Sequence, residues 1–216
     1  MESVSRYPIL AREGWGHCAV VAVPAVLVTW MWGWVWAAPL WLATIFVVQF
    51  FRDPVRSIPS APGTVVCPAD GRVIVVDEVD DPYLKRRAKR VSIFMNVFNV
   101  HSNRMPVGGV VKERWYHAGS YFNAALDKAA HENERNALWV QTTDQHDIVV
   151  VQVAGLIARR ILCYVAPGRG VERGERYGFI RFGSRVDVYL PLTATVKVAL
   201  GDKVHGASGV LAELHS

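Results

Sequence analysis

The feature that most constrains this chain is an uncharged apolar segment near its start. No Asp, Glu, Lys or Arg occurs from Gly14 to Phe51, and six of the eight tryptophans precede residue 42. The two acidic and two basic residues of positions 1–51 cancel, so the formal net charge of +5 belongs to positions 52–216. The sequence therefore predicts a membrane-anchoring segment, residues 1–51, followed by a basic domain, residues 52–216.

Two arrangements of the apolar segment fit its length. The run Trp15–Trp36 would be roughly 33 Å long as a helix, enough to cross a bilayer core, although Pro24 would kink it. After Pro39, the run Leu40–Phe51 would be roughly 18 Å long, too short to cross alone. We expect either one span followed by an interfacial helix or a bent helical hairpin that enters and leaves the same face. A cleaved signal peptide is disfavoured because the apolar pattern continues past the poor cleavage site Ala37-Ala38.

The remainder of the chain has the pattern of a β protein. Apolar residues occupy every even position from Val186 to Leu200, most odd positions are polar, and Pro191 separates two strands. Three further strands and one weak helix are predicted at Val91–Val100, His146–Val153, Arg160–Val165 and Ser120–Arg135. The predicted fold is mainly β (α+β), an antiparallel, barrel-sandwich-like catalytic domain preceded by the apolar membrane helix or helical hairpin.

Charge and cysteine usage limit the partners of this domain. Lys85–Arg90 carries five positive charges in six positions. It is either a solvated loop or a contact with anionic lipid headgroups, each basic residue then contributing about 1 kcal/mol. No aromatic stacking pattern accompanies the charges, so no nucleic acid is expected. Three scattered cysteines indicate a reducing, cytoplasm-facing domain, and the histidine spacing predicts no metal site.

Three residues could form a nucleophilic site. Gly183-Ser184 opens the strand with the cleanest alternation, Asp70 lies in the turn Pro68–Gly71, and His101 lies at a predicted strand end. In a triad, Asp70 would orient His101, and His101 would remove the Ser184 hydroxyl proton. Each residue also has an ordinary interpretation as a turn or strand-end residue, and spacing alone leaves this open.

Six short pieces of the sequence, each weak alone, occur in a specific order. They are Phe50–Pro54, Pro68–Gly71, Asn99–Pro106, Gly119–Asn123, Glu132–Asn136 and Gly178–Ser184. Together they resemble the short form of the phosphatidylserine decarboxylases over nearly the whole chain. The resemblance implies a pyruvoyl-dependent carboxy-lyase that converts phosphatidylserine to phosphatidylethanolamine and CO2.

The resemblance also implies that the chain makes its own cofactor. His101, held by Asp70, would deprotonate Ser184, whose hydroxyl attacks the Gly183 carbonyl to give an ester. β-Elimination and hydrolysis would then leave a covalent pyruvoyl group derived from Ser184. The products, chains 1–183 and 184–216, would remain together as a heterodimer, with further oligomerisation left open. The pyruvoyl ketone would form a Schiff base with the amine of phosphatidylserine and accept the electrons released as CO2 departs.

Two positions depart from the family pattern. Larger members often carry a second His three residues after the first, in an H-x-x-H-x-P arrangement, where this chain has Arg104. Arg104 is therefore a candidate to bind the lipid phosphate or carboxylate. Arg185 replaces the Ser that follows the family's Gly-Ser pair. The remaining substrate-binding candidates are His117, Asn123 and Arg135, and His101 is also the candidate proton donor to the product.

Three other functions remain alternatives at this stage. A pyruvoyl decarboxylase could act on another amino-containing lipid or on a soluble amino acid. A membrane-tethered barrel-sandwich binding or carrier module would not be cleaved and would be modified, if at all, at Lys203. A serine hydrolase would also keep the chain whole, so cleavage at Ser184 separates these classes. The expected location is the cell membrane, with the catalytic domain facing the cytoplasm.

Overall fold

The structure, a computed structural model, describes residues 7–125, 132–155, 160–181 and 183–215. The chain divides into two compact units, Met1–Val55 and Arg56–Ser216. The first contains a short 3-10 turn at Arg12–Gly14 and two apolar helices, α1 (Trp15–Trp32) and α2 (Trp34–Phe50). The continuous helical run Arg12–Trp32 is long and apolar enough to cross a membrane, whereas α2 is shorter.

The two helices form a hairpin whose ends are tied together. The amide of Ala11 donates to the Phe51 carbonyl over 2.8 Å, and Leu10 forms a β-bridge with Arg52. Between the helices, the Trp41 indole donates to the Thr29 hydroxyl over 3.0 Å. The described residues of the segment form a helical hairpin, and its entry into and exit from the same membrane face stays a prediction.

The predicted interruption of the apolar segment at Pro39 is wrong. The chain reverses at Gly33, which has a φ of +87° and space around its missing Cβ. A residue without Cβ adopts this left-handed conformation at little cost. Pro39 lies in the second turn of α2, where it removes one helical hydrogen bond without ending the helix.

The second unit is built from strands. Within the described part of residues 56–216, fourteen strands form three sheets in which all neighbours are antiparallel. They are β1 (Thr64–Val66), β2 (Gly71–Asp81), β3 (Arg86–Met95), β4 (Ser102–Arg104), β5 (Gly109–His117), β6 (Arg135–Gln141), β7 (Asp147–Val153), β8 (Ile161–Cys163), β9 (Gly170–Val171), β10 (Arg176–Ile180), β11 (Ser184–Leu190), β12 (Thr195–Val196), β13 (Lys203–Val204) and β14 (Val210–Glu213).

The largest sheet has eight strands in the order β13-β2-β3-β11-β7-β6-β5-β9. Two three-stranded sheets, β1-β14-β12 and β4-β10-β8, complete the unit. The predicted mainly β, antiparallel architecture preceded by apolar helices is confirmed. The strand predicted at His146–Val153 is β7, which lies inside the large sheet with six of its seven residues buried.

Strand β11 lies between β3 and β7, with every one of its residues buried. Its even-numbered side chains, Val186, Val188 and Leu190, join the main hydrophobic core. Tyr189, at an odd position, packs in a separate apolar cluster with residues of β3, β6 and β7. We call the side of the large sheet that bears Val186 the core face and the side that bears Tyr189 the outer face.

The run Lys85–Arg90 is neither a solvated loop nor a free patch of positive charge. All but its first residue belong to β3, which pairs with the acidic strand β2. The register pairs that form cross-strand ion pairs are Asp77 with Arg90 at 2.7 Å, Asp80 with Arg87 at 3.6 Å and Asp81 with Arg86 at 3.7 Å. The loop prediction is therefore wrong, and the acidic neighbours largely neutralise the charge that would attract lipid headgroups.

The predicted helix over Ser120–Arg135 is only partly open to comparison, since positions 126–131 lie outside the described residues. Its ends are not helical: Ser120 forms a β-bridge with Asn133, and Arg135 begins β6. At these ends the prediction is wrong, because the polar residues there serve as strand partners.

Candidate active site

The Gly183-Ser184 pair lies at the junction where β10 of a small sheet leads into β11 of the large sheet. Ser184 is fully buried at the first position of β11, opposite Met95 of β3. Within the described part of the chain, its hydroxyl oxygen has no hydrogen-bond partner. A buried hydroxyl normally finds a partner, and of the three described serines whose buried hydroxyls have none, Ser92, Ser102 and Ser184, the one that follows a glycine with positive φ is Ser184, the candidate nucleophile.

Gly183 is held in a conformation that favours glycine. Its φ is +60°, although the position of its missing Cβ is open space. Backbone conformation, and not crowding, is therefore what requires glycine at this position. The carbonyl of Gly183 instead approaches Gly155: a Cβ built on Gly155 would lie 1.9 Å from the carbonyl oxygen of Gly183.

His101 directly precedes β4 and lies beside the end of β10. It is fully buried, and its carbonyl accepts a hydrogen bond from the Ile180 amide, at the end of β10, over 3.3 Å. Its ring Nδ1 lies 2.9 Å from the carbonyl oxygen of Asn99. A carbonyl can only accept, so Nδ1 carries the proton in this contact, and Nε2 of the neutral ring is the basic nitrogen. The ring of His101 can therefore serve as a base near the end of β10.

Asp70 contacts residues other than its predicted partner, His101. Its carboxylate accepts from the Gly206 amide over 2.8 Å and from Arg56 over 2.7 Å, and His205 lies 3.6 Å away. Among the described residues, the structure shows no hydrogen bond between Asp70 and His101. Burial, with the Asp70 charge adding to it, raises the pKa of the Cys67 thiol to about 12.

The predicted substrate-binding residues do not all lie together. His117 pairs with Arg135, Arg135 with Val153, and Val153 with Arg185 across four strands of the large sheet. Directly paired residues share a face, so His117 and Arg135 lie on the outer face, while Ser184 belongs to the core face. There they line a cavity of about 370 Å³.

Asn123 and Arg104 lie in segments that contact the strands at the junction: Asn123 adjoins Ala124, which contacts Arg185, and Arg104 pairs with Arg176 of β10. Asn123 precedes Ala124, whose carbonyl accepts a hydrogen bond from Arg185 over 3.4 Å. The Asn123 side chain itself accepts from the Ala125 amide over 3.1 Å. The amide of Arg104 donates to the Pro68 carbonyl over 2.8 Å, which fixes β4 beside the turn that carries Asp70.

The sequence analysis missed a chain of buried amides that ends at the register partner of Ser184. Side-chain hydrogen bonds run from Arg114 to Asn136 (2.7 Å), from Asn136 to Gln152 (3.0 Å), and from Gln152 to Asn103 (2.8 Å). The Asn103 amide then lies 3.8 Å from the Met95 sulfur. These residues stand on separate strands with no common spacing, so no sequence signal connects them.

Arg185 and Asp187 form a second buried polar group, on the outer face. The guanidinium Nε lies 2.8 Å from one Asp187 oxygen, and an Nη donates to the other over 2.9 Å. Both side chains are almost completely buried. A bidentate pair of this kind fixes the strand that begins with Ser184.

The sequence profile of a family described as "Phosphatidylserine decarboxylase" matches residues 43–212 of this chain. The chain belongs to the phosphatidylserine decarboxylase family. The family resemblance found in the sequence is thereby confirmed.

Similar proteins match along almost their whole length. A "Phosphatidylserine decarboxylase proenzyme" of Nitrosomonas europaea is 59% identical over 209 residues, 97% of this chain and 97% of the relative. One of Aromatoleum aromaticum is 59% identical over 208 residues, 96% of this chain and 97% of the relative. One of Burkholderia ambifaria is 57% identical, with the same coverage. These relatives favour the decarboxylase prediction over the carrier-module and hydrolase alternatives.

Proposed function

We propose that this chain is a membrane-associated phosphatidylserine decarboxylase that generates a pyruvoyl group from Ser184. The names of the relatives supply the substrate class and the reaction. The observation that carries the proposal is the Gly183-Ser184 junction, where a buried hydroxyl without a described hydrogen-bond partner follows a glycine at φ +60°. An ordinary strand start requires neither feature.

The first chemical step is self-cleavage. His101 takes the Ser184 hydroxyl proton on Nε2, and Oγ attacks the carbonyl carbon of Gly183. The C–N bond of the Gly183-Ser184 peptide then breaks, and the proton passes to the departing nitrogen. The product is an ester between the Gly183 carbonyl and Ser184 Oγ, with no gain or loss of atoms.

The second step opens the ester. Removal of the Ser184 α-proton expels Oγ as part of the Gly183 carboxylate, and one water then replaces the nitrogen, which leaves as ammonia. The strand that carries the resulting group keeps its place after the cut, because seven register pairs join it to β3. Chain 184–216 therefore stays bound to chain 1–183 as a heterodimer after the cut.

The pyruvoyl group supplies a ketone that condenses with the substrate amine and accepts the electrons released when CO2 leaves. The chain's own residues bind the lipid, exclude water and handle protons. His101, buried at the junction, is the residue we assign to return a proton to the product. We assign Arg104 and Asn123 to binding of the lipid headgroup, because Arg104 follows His101 by three residues and Asn123 directly precedes Ala124.

Asp70 and the two outer-face candidates keep weaker assignments. Orientation of His101 by Asp70 stays a prediction, since the described partners of that carboxylate are Arg56, Gly206 and His205. Contact of His117 and Arg135 with the headgroup also stays a prediction.

The apolar hairpin supports a location at the membrane. Helix α1 is long enough to cross a bilayer core, and a lipid substrate needs an enzyme held at that surface. We assign the enzyme to the cell membrane with residues 56–216 on the cytoplasmic side, consistent with three free cysteines.

A decarboxylation assay tests this function. The full chain is supplied with phosphatidylserine in mixed micelles, and release of CO2 and formation of phosphatidylethanolamine are measured. Free serine and an N-acylated phosphatidylserine serve as matched substrates. The first lacks the lipid, and the second keeps the carboxylate but lacks the primary amine. We expect turnover of phosphatidylserine alone, and turnover of free serine at a comparable rate would contradict the lipid assignment.

A further inference from the structure

The Gly183 carbonyl, which is attacked during self-cleavage, lies against the backbone of Gly155, close to Ala124. Neither residue has been assigned a role so far. A Cβ on Gly155 would stand 1.9 Å from the Gly183 carbonyl oxygen, 2.9 Å from its carbon and 3.3 Å from the Ala124 Cβ. The first two separations are shorter than any non-bonded contact that a carbon atom tolerates. Only glycine at position 155 leaves room for this carbonyl.

The buried side-chain amide of Asn133 binds both of the segments that contain Gly155 and Ala124. The Asn133 Nδ2 donates to the Ala154 carbonyl over 2.7 Å and to the Phe122 carbonyl over 2.8 Å. Its Oδ1 accepts from the Phe122 amide over 2.9 Å. The side chain of Asn133 is fully buried, so its polar atoms are satisfied by the backbone of the two segments that flank Gly155 and Ala124.

Backbone contacts fix the same segment from the other side. The Ala154 amide donates to the Glu134 carbonyl over 2.9 Å, and the Glu134 amide donates to the Ser120 carbonyl over 3.0 Å. Gly155 therefore follows directly from a residue that is held through both its amide and its carbonyl. The position of the Gly155 backbone is set independently of Gly183.

We propose that Gly155, whose backbone is held in place by Asn133, positions the Gly183 carbonyl for attack by Ser184 Oγ. Both are positioning residues for self-cleavage, and the inference rests on the proposed function. A carbonyl held against a fixed backbone keeps its carbon at one distance and angle from the hydroxyl of the next residue. Such near-attack geometry is worth large factors in the rate of an intramolecular reaction.

The deciding experiment compares Gly155→Ala with Gly170→Ala in the full-length chain. Gly170 is a matched control, because a Cβ there would meet nothing within 4 Å and its φ is not positive. The fraction of chain cut at Gly183-Ser184 is followed by intact mass with time. We expect Gly170→Ala to be cut like the parent chain and Gly155→Ala to be cut at least tenfold more slowly.

Two further readouts separate positioning from a general loss of structure. Hydroxylamine cleaves the ester formed by Ser184, so during processing it should release chain 1–183 from the parent and at least tenfold less from Gly155→Ala in the same time. Any Gly155→Ala molecules that are cut should decarboxylate at the parent rate per cut chain. Asn133→Asp removes the two amide donors with no change of size, and it should slow the cut by a smaller factor.

Each outcome decides the proposal. Parent-rate cutting of Gly155→Ala or of Asn133→Asp would overturn it. Loss of folding in Gly155→Ala, seen as loss of its thermal transition, would also count against it, because the glycine would then serve packing alone. If the unmodified chain is never cut, the proposed function fails instead, and that result is distinct because it precedes any substitution.

Discussion

The two faces of strand β11 carry different chemistry although their residues alternate along one short stretch. Ser184 and Val186 belong to the core face, where Val186 packs in the main hydrophobic core and the Ser184 hydroxyl has no hydrogen-bond partner among the described residues. Arg185 and Asp187 lie on the outer face as a buried ion pair that satisfies itself. On the core face the Ser184 hydroxyl follows Gly183 directly and has no described partner, whereas on the outer face Arg185 also donates to the Ala124 carbonyl and so holds the start of the strand.

The largest effect is expected from the core-face hydroxyl. Ser184→Ala removes the nucleophile, so the chain should fold, remain a single chain of 216 residues and show no decarboxylation. Ser92→Ala is the matched control, since Ser92 is a buried serine of β3 that pairs with Asp187 on the outer face. Denaturing gels and the CO2 assay should show normal cutting and activity for the control. Decarboxylation by Ser184→Ala would show that the reaction does not need a pyruvoyl group derived from Ser184.

The second-largest effect is expected from substitution of His101, the proposed base. His101→Ala should slow cutting by about 10²–10⁴-fold, the contribution typical of a general base. His205→Ala is a control, because His205 is an exposed histidine beside Asp70. Cutting of His101→Ala at the parent rate would assign proton removal to another group. Asp70→Asn tests the orienting role in the same time course.

The outer-face pair should matter for stability more than for chemistry. Asp187→Asn leaves the Arg185 charge buried without its carboxylate and should lower the free energy of unfolding by about 3–5 kcal/mol. The double variant Arg185→Met/Asp187→Leu, which removes both charges, should recover most of that loss. Urea unfolding of the Ser184→Ala background measures both without interference from cutting. Equal losses in the single and double variants would contradict the ion-pair explanation.

A smaller, pH-dependent effect is expected in the core behind Asp70. The pKa of the Cys67 thiol is raised to about 12 in the folded chain from its ordinary value of 9.0, chiefly by burial. Above pH 9 the unfolded chain loses this proton while the folded chain keeps it, so folding stability falls as pH rises from 9 to 12. Cys67→Ala should flatten that part of the stability curve in urea titrations. An unchanged slope in Cys67→Ala would exclude the thiol as its source.

The smallest effect is expected from the outer-face histidine. His117 lies on the sheet face opposite Ser184, so His117→Ala should change kcat/KM for phosphatidylserine by less than about twofold. Asn123→Ala, beside Ala124, should raise KM more. A large KM increase in His117→Ala with normal cutting would support the headgroup role that the sequence predicts for it, and would weaken the division between the faces.

The sequence predicted the features that depend on periodicity and on local pattern. Alternation identified β11 and the core role of Val186 and Val188, and the absence of charge identified the apolar hairpin. It could not place Gly33 as the point of reversal, because Pro39 is the stronger local signal. It also missed the pairing of β2 with β3, because ion pairs such as Asp77 with Arg90 depend on register.

The site was predicted in the same uneven way. Ser184, Gly183 and His101 occur in recognisable local motifs. His101 lies beside the end of β10, where its carbonyl accepts from the Ile180 amide, and its role toward Ser184 stays a prediction. Gly155 had no such signal, since a glycine after a strand usually marks a turn, and Asn133 lies in the piece Glu132–Asn136, where no local pattern assigns it a role. Their importance arises only when segments far apart in sequence meet at the Gly183 carbonyl, which no local pattern encodes.

The most direct test of the central claim is the intact mass of the purified full-length protein under denaturing conditions. The account predicts two chains, 1–183 and 184–216, with a pyruvoyl group in place of the amino-terminal serine of the smaller one. A single uncut chain of 216 residues that stays uncut in lipid and detergent would contradict it.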